Sequence, residues 1–152
     1  MKHIISKKSF RLAGYAKVPG DKSISHRALI ISSMCIGQSK IKGLLESEDV
    51  FATMNALKTL GVKIEKSNGC WFVNGVGIFG FKEPTEYLDL GNSGTGARLI
   101  LGAIMGSSIL ANLKGDASLS KRPMKRVIIP LLKTGATFDD PNNNNLPIQS
   151  FD

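Results

Sequence analysis

The chain has 152 residues, of which 42% are hydrophobic and 21% charged, and its formal net charge is +8. This length suits one domain or two small ones, and the composition is that of an ordinary globular protein. No run approaches the roughly 18 consecutive apolar residues of a membrane span, and the opening MKHIISKKSF lacks the apolar core of a signal peptide.

The cysteines, the histidines and the excess of basic residues narrow the class of partner. Cys35 and Cys70 lie far apart and fit free thiols of a reducing cytoplasm, so we expect a cytoplasmic chain without membrane contact. His3 and His26 lack the CxxC or HxxH spacing of a metal site. The lysines are scattered and do not interleave with aromatic residues, so we expect small anions rather than nucleic acid as the partner.

The chain opens with a pattern of strand, helix and strand. Residues 10–18 show partial strand alternation, which ends at Pro19. Residues 25–36 have helical periodicity with a stop at Gly37, and residues 40–45 indicate a strand.

A second helix and a hairpin complete the first half. Ser47 is a good N-cap, and the helix is expected to reach Leu60, followed by a glycine suited to the C′ position. Residues 62–65 and 71–73 indicate a hairpin around KSNG, because Asn-Gly is a strong turn signal.

The second half repeats this order. Residues 88–90 lead into GNSGTGARLILGAIMG, a turn followed by an apolar helix, and SSILANLKG follows as a strand. A helix over 121–132 and a strand at 136–138 come next. The tail DDPNNNNLPIQSFD resumes an apolar pattern only at its end, so the second unit is expected to stop before its last strand is properly made.

The two halves agree in detail. Gly20 precedes Arg27 by the same spacing as Gly91 precedes Arg98, and LKTLGVKI is matched by LKTGATF. We infer a repeat of about 70–75 residues, with units at about 19–80 and 88–152, because repetition at this scale indicates similar supersecondary units packed together.

Two turns concentrate polar donors at the start of a predicted helix, which is a natural anion site. The turn GDKSISHR, called the first turn below, carries Lys22, Ser23, Ser25 and Arg27. The turn GNSGTGAR, the second turn, carries Asn92, Ser93, Thr95 and Arg98, with glycines that let a ligand approach the backbone.

A third motif and several plainer interpretations complete the candidates. In SLSKRPM, Arg122 precedes Pro123, which is expected in the first helical turn, and such an arginine can bind a carboxylate or phosphate through two donors. Ser23 or Ser25 is also explained as an N-cap, and the spacing GxxxxGK[ST] of a P-loop is absent. Ser25 and His26 are adjacent on a helix and point apart, which argues against a nucleophile and its base.

Taken together, PGDKSISHR, LGNSGTGARL and GDASLSKRPM resemble the EPSP synthase (3-phosphoshikimate 1-carboxyvinyltransferase) family in order and spacing, over essentially the whole chain. The sister family of UDP-N-acetylglucosamine enolpyruvyl transferases shares the fold but does not typically carry DKSISHR. The resemblance implies an α/β (α+β) enolpyruvyl-transferase inverse-prism fold, in which two domains each contain three βαβαββ units. This chain would hold about two of those units.

The resemblance also implies a reaction and its participants. The family transfers the enolpyruvyl group of phosphoenolpyruvate to the 5-hydroxyl of shikimate 3-phosphate and releases phosphate, through a tetrahedral intermediate and with no metal or organic cofactor. It implies that Lys22 contacts both substrates and is catalytic. Shikimate 3-phosphate would be bound by Lys22, Ser23 and Arg27, and phosphoenolpyruvate by Lys22, Gly94 and Arg122. Asn92, Thr95 and Arg98 would lie beside them.

Departures from the family leave three hypotheses open. Family members are much longer, and the Ser-Ser-Gln phosphate-binding segment and the domain that supplies the acidic residues for proton transfer are not in this sequence. Residues 1–18 would form a strand that packs with that second domain. The chain is therefore interpreted as a fragment or truncated form of the enzyme, whose C-terminal half is either separately encoded or lost. The alternatives are a non-catalytic remnant or phosphometabolite-binding module, and a basic nucleic-acid-binding domain.

Overall fold

The computed structural model describes residues 4–140 and 142–151, with four α-helices and seven β-strands. The helices are α1 (Lys22–Met34), α2 (Glu48–Thr59), α3 (Gly94–Ile104) and α4 (Lys125–Lys133). The strands are β1 (Ile36–Lys42), β2 (Lys63–Ser67), β3 (Cys70–Val76), β4 (Leu88–Asp89), β5 (Ala111–Lys114), β6 (Thr137–Phe138) and β7 (Ile148–Phe151). A short 3-10 helix, Leu119–Lys121, precedes α4. The expected α/β class is confirmed.

The two sheets confirm the repeat. The first sheet has the order β1-β3-β2, and β3 pairs antiparallel with both neighbours. The second has the order β4-β5-β7-β6, in which β7 likewise pairs antiparallel with β5 and β6. The strand order β1-β3-β2 therefore corresponds to β5-β7-β6, with one helix between equivalent strands in each half.

The incomplete unit is not the one that the sequence indicated. The tail folds into β7, so the second half contains the full series β4, α3, β5, α4, β6, β7. The first half has no counterpart of β4, because described residues 4–18 contain no strand and their side chains are exposed. Residues 1–3 of the predicted strand lie outside the described residues. The limits of the units and the packing of residues 1–18 with a second domain stay predictions.

Three element boundaries differ from the sequence prediction for physical reasons. Helix α1 begins at Lys22 because Asp21 caps it, its side chain accepting a hydrogen bond from the Ile24 N–H. Strand β1 begins at Ile36 rather than residue 40, because its pairing with β3 extends through a segment with exposed side chains and no apolar alternation.

Helix α4 begins at Lys125 rather than residue 121. Arg122 is extended, with φ −86° and ψ 136°, because a residue before proline is driven out of the helical region. Pro123 thus precedes the helix instead of occupying its first turn. Asn144 of the polar tail binds the start of α4, its side chain accepting a hydrogen bond of 3.0 Å from the Lys125 N–H.

Other predicted features are confirmed. Ser47 is the N-cap residue of α2, although its hydroxyl makes no capping hydrogen bond, and the helix ends at Thr59 with Gly61 at φ +90° behind it. The hairpin between β2 and β3 turns at Asn68 and Gly69, both with positive φ, as an Asn-Gly turn requires.

One continuous hydrophobic core joins the two halves, and α3 lies in it against α1, α2 and α4. Ala97, Ile100, Leu101 and Ile104 of α3 are buried at the spacing of one helix face. Burying each of the larger side chains stabilises the fold by about 1.5–3 kcal/mol. No helix in the described ranges is long and apolar enough to cross a membrane.

Candidate functional site

The first turn is built by backbone contacts that leave its cations exposed. A methyl group on Gly20 would lie 2.1 Å from the Gly43 carbonyl oxygen, so only glycine fits there. Ser25 is buried; its hydroxyl donates to the Asp21 carbonyl at 2.7 Å and accepts from the Leu45 N–H at 2.9 Å. Ser25 is therefore a structural residue, and its bonds tie α1 to the loop after β1.

The predicted ligand groups of this turn point outward or lie at the edge of the core. Lys22 and Arg27 are exposed, and Ser23 is half-buried. The Lys22 ammonium lies 2.8 Å from the Asp49 carboxylate at the start of α2. Asp49 belongs to none of the three sequence motifs. Its only signal in the sequence is its position in the first turn of a predicted helix.

In the second turn, as in the first, the side chain of the N-cap residue accepts a hydrogen bond from a helix N–H. Its backbone differs from that of the first turn. The Ser93 hydroxyl accepts a hydrogen bond of 3.1 Å from the Gly96 N–H, and Gly91 has φ +52°, which favours glycine. The Asp89 carboxylate accepts from the Gly91 N–H at 2.9 Å. Thr95 is half-buried, and Gly94 begins α3. Ser93, a candidate donor in the sequence, is buried and acts as the N-cap.

Asn92 fixes Arg122 across the second turn. The Arg122 guanidinium donates to the Asn92 carbonyl oxygen at 3.3 Å and to the Asn92 side-chain oxygen. The Asn92 amide in turn donates to the Asp116 carboxylate at 2.7 Å. The Leu119 N–H lowers the pKa of Asp116 by hydrogen bonding to it, and Asn92 adds to this effect, so the carboxylate stays ionised.

Two guanidinium groups lie close to Gly94. A methyl group on Gly94 would lie 3.2 Å from Arg122 Nη1 and 3.3 Å from Arg98 Nη2. Burial lowers the pKa of Arg98, and the positive charges of Arg126 and Arg122 lower it further. Arg126, which directly follows RPMK in the sequence, was missed there because the motif SLSKRPM ends two residues earlier.

These arginines lack a direct ionic contact in the part of the chain that the structure describes, although the charge of Arg122 reaches Asp116 and helps to lower its pKa. None of Arg98, Arg122 and Arg126 takes part in a salt bridge among residues 4–140 and 142–151. Like charges gathered without a direct ionic contact repel each other, and a bound anion relieves that repulsion.

Helices α1, α2 and α3 begin at the same end of the molecule. Lys22 and His26 of α1 contact Asp49 and Thr53 of α2 in the same order, so the two helices run in the same direction. Thr53 also lies against Gly96, which is in the first turn of α3. Three positive helix ends therefore lie together, and their unpaired N–H groups favour negative charge.

The structure thus brings Lys22 of the first turn into the same helix layer as the second turn, and it brings Asn92, Gly94, Arg98 and Arg122 together. Chemically, this end of the molecule offers ammonium, guanidinium, hydroxyl and backbone N–H donors. Most of its acids are engaged: Asp21 and Asp116 accept hydrogen bonds from helix N–H groups, Asp89 binds Gly91 and Lys114, and Asp49 pairs with Lys22, whereas Glu48 is exposed at the start of α2.

Comparison with known proteins agrees over nearly the whole chain. Residues 6–151 match the sequence model of EPSP synthase (3-phosphoshikimate 1-carboxyvinyltransferase). The chain is 54% identical over 138 residues to the 3-phosphoshikimate 1-carboxyvinyltransferase of Parvibaculum lavamentivorans, covering 90% of this chain and 31% of the relative. It is 48% identical over 146 residues to that of Zymomonas mobilis, covering 95% and 32%.

A solved structure gives the same result for the fold. The EPSP synthase from Acinetobacter baumannii superposes with a TM-score of 0.83 at 40% identity, covering 91% of this chain and 32% of that protein. The chain therefore spans about a third of the length of the relatives it matches. On this sequence match and this fold, the chain belongs to the EPSP synthase family.

Proposed function

We propose that the chain supplies part of the substrate site for enolpyruvyl transfer from phosphoenolpyruvate to shikimate 3-phosphate, a step of the shikimate pathway to aromatic amino acids. The observation that carries the proposal is the pair of guanidinium groups, Arg98 and Arg122, that both lie close to Gly94 at the start of α3. Both substrates are anions, and the product is 5-enolpyruvylshikimate 3-phosphate with release of phosphate.

The two turns divide the substrates between them. Lys22, Ser23 and Arg27 bind shikimate 3-phosphate, and their support is that all three side chains lie at least partly exposed at a helix N-terminus. Gly94 and Arg122 bind phosphoenolpyruvate, and Lys22 contacts both substrates. Asn92 holds Arg122 in place, while Thr95 and Arg98 lie beside it.

Catalysis by these groups is electrostatic. Fixed donors around the phosphate that becomes the leaving group stabilise its charge in the transition state without reorganising. Each charge-assisted hydrogen bond contributes about 1.5–3 kcal/mol. As the family resemblance implies, we assign the proton donor and base to the two-thirds of the family length that this chain does not span. Asp21, Asp89 and Asp116 are engaged in structural hydrogen bonds here.

A surface that covers residues 4–18 is part of the proposal. Residues 4–18 expose large apolar side chains, among them Ile4 at 97%, Phe10 at 97% and Leu12 at 89%. Such exposure in sequence-local clusters is typical of surfaces that another chain covers. We assign that role to the part of the family sequence that this chain does not span. We place the protein in the cytoplasm, whose reducing conditions suit the free Cys35 and Cys70.

The experiment measures phosphate release from phosphoenolpyruvate that depends on shikimate 3-phosphate. The 152 residues alone are expected to give no turnover and to bind shikimate 3-phosphate at about millimolar concentration, because each lost charged hydrogen bond removes one to two powers of ten in affinity. Addition of the remaining two-thirds of a relative such as the Zymomonas mobilis protein is expected to restore turnover.

Controls make the outcome decisive. Arg27→Gln is expected to weaken binding of shikimate 3-phosphate, whereas Lys58→Gln, an exposed cation at the far end of α2, is not. Shikimate, which lacks the phosphate, is expected to bind the wild-type chain more weakly than shikimate 3-phosphate does. Robust turnover by the 152 residues alone would show that the catalytic groups are misplaced. Binding without turnover in the reconstituted mixture would favour the phosphometabolite-binding module instead.

A further inference from the structure

A buried polar contact on α2 joins the helices that carry the two anion-binding turns. Thr53 is fully buried, and its Oγ1 lies 2.8 Å from Nδ1 of His26 on α1. On the other side, a methyl group on Gly96 of α3 would lie 2.3 Å from the same Oγ1. One hydroxyl group therefore contacts the helix of the first turn and the helix of the second.

This contact is the inner of two polar pairs between α1 and α2, which are called the outer rung and the inner rung below. Lys22 and His26 lie one helical turn apart on α1, and Asp49 and Thr53 lie one turn apart on α2. The outer rung is the exposed ion pair of Lys22 and Asp49, and the inner rung is buried. Hydrophobic packing alone tolerates small rotations, whereas directional polar pairs in a buried position fix one arrangement.

The His26 ring shows that this position is maintained at a cost. The ring is fully buried, and its Nε2 has no hydrogen-bond partner among the described residues. A buried N–H without an acceptor is rarer than a buried acceptor without a donor. This favours the tautomer that carries the hydrogen on Nδ1 and donates it to Thr53 Oγ1. A polar atom left unpaired in a core calls for a reason, and Leu or Val would pack there without that penalty.

We propose that Thr53, bonded to His26 and packed against Gly96, is a positioning residue that sets the placement of the first turn relative to the second. The consequence for anion binding rests on the proposed function, but the placement is a property of the folded chain without ligand. Thr53 contacts His26 and Gly96, which are not predicted ligand groups, so the effect of Thr53 on binding acts through α1 and α3.

The test compares isosteric and conservative substitutions. Thr53→Val keeps the shape but removes the hydroxyl, and Thr53→Ser keeps the hydroxyl. Thr59→Val, the same change at the last residue of α2, is the matched control. Residual dipolar couplings of the α1 and α3 amides report the angle between those helices in the folded chain. We expect the angle to change or broaden in Thr53→Val and to match the wild type in Thr53→Ser and Thr59→Val.

A role in stability alone predicts a different result. It lowers the free energy of unfolding of Thr53→Val but leaves the couplings of the folded molecules unchanged, and that outcome would overturn the proposal. A readout on the wild type covers the case in which Thr53→Val does not fold. The ¹⁵N shifts of the His26 ring are expected to show one tautomer, protonated on Nδ1. A ring that averages between tautomers has no fixed bond to Thr53 and overturns the proposal as well.

Ligand titration then separates this proposal from the proposed function. We expect Thr53→Val to bind shikimate 3-phosphate about tenfold more weakly than wild type, because small displacements of binding groups have large effects. Thr53→Ser and Thr59→Val are expected to stay within about twofold on the same reasoning. No binding by the wild type contradicts the proposed function and leaves the helix-angle test standing. Altered helix angles with unchanged affinity contradict the link between placement and binding.

Discussion

The ammonium of Lys22 lies 2.8 Å from the Asp49 carboxylate, although the two residues are 27 positions apart in the chain. Lys22 is thus held over the start of α2, where an arriving anion would have to share it with Asp49. The pair joins a side chain that is 52% exposed to one that is 27% exposed, so it contributes less than about 1 kcal/mol to stability. Its larger effect is on the charge that an anion meets.

We expect Asp49→Asn to bind shikimate 3-phosphate a few-fold more tightly and to lose less than about 1 kcal/mol of stability. The substitution frees Lys22 and removes a negative charge from the anion's surroundings. Glu48→Gln is the matched control, because it removes the same charge from the same helix end without touching Lys22. Chemical-shift titration gives both affinities. Weaker binding by Asp49→Asn would mean that the carboxylate orients Lys22 more than it competes for it.

The stability of the fold is expected to depend on pH through His26. Burial lowers the pKa of His26 below 6.5, Asp49 opposes this, and Lys22 reinforces it. The unfolded chain therefore binds more protons than the folded one between the folded pKa and about 6.5. The contribution of His26 to stability is complete above that range and is lost as the pH falls through it.

Denaturant unfolding between pH 8 and pH 5 measures this effect. His26→Asn is the comparison, since its amide nitrogen takes the place of Nδ1 and keeps a donor for Thr53. The wild type is expected to lose stability relative to His26→Asn as the pH falls below about 6.5. Parallel curves for the two proteins would show that the ring accepts a proton in the folded state as readily as in the unfolded one.

Local signals in the sequence predicted much of the fold. The Asn-Gly turn, Gly61 behind α2 and the apolar stripe of α3 each depend on neighbours within a few positions, and the structure contains all three. The predicted start of α1 at residue 25 was too late because aspartate and serine are both good caps, and Asp21 rather than Ser23 or Ser25 takes the position. The start of β1 depends on pairing with β3, more than thirty residues away, which no local pattern contains.

The residues of the candidate site also fall into those with a local signal in the sequence and those that depend on distant contacts. Lys22, Gly94 and Arg122 stand in recognisable motifs, and the structure brings Gly94 and Arg122 together. Asp49 and Thr53 contribute through contacts with residues 27 positions away, which no local pattern contains. Ser25 and Ser93 carried the right chemistry for ligands, but buried hydrogen bonds to the backbone occupy both hydroxyls. Sequence identifies the donors, and only packing shows which of them are free.

Substitution of Gly94 is expected to separate binding from stability. The added methyl group of Gly94→Ala would lie 3.2 Å from Arg122 Nη1 and 3.3 Å from Arg98 Nη2, and both are ends of flexible side chains that can shift. The fold should therefore tolerate the change, and binding of phosphoenolpyruvate should weaken by about tenfold as the donors are displaced. Gly102→Ala in the same helix meets nothing within 4 Å and serves as the control. Equal phosphoenolpyruvate affinities in the two variants would remove Gly94 from the site.

Arg126 is expected to attract anions without holding them. Its charge helps lower the pKa of Arg98, so it lies close enough to add to the same positive field. Arg126→Gln should weaken phosphoenolpyruvate binding a few-fold in dilute buffer, and the difference should shrink at about 1 M salt because screening shortens the reach of its charge. Lys125→Gln, the neighbouring cation at the start of α4, is the control. A difference that persists at high salt would indicate a direct contact between Arg126 and the ligand.

Gly96 is expected to tolerate no side chain while Thr53 is present. The methyl group of Gly96→Ala would lie 2.3 Å from Thr53 Oγ1 and 2.7 Å from Ser93 Oγ, and both atoms are buried and hydrogen-bonded. Overpacking of this kind lowers stability by about 1–3 kcal/mol. Thr53→Ala opens space for the added methyl group, so the double variant should be more stable than the sum of the two single effects implies, by at least about 0.5 kcal/mol. Denaturant unfolding of the four proteins in this cycle gives the coupling energy. Strict additivity would mean that α3 moves away from α2 as a whole, and the close contact between Thr53 and Gly96 would then not constrain the second turn.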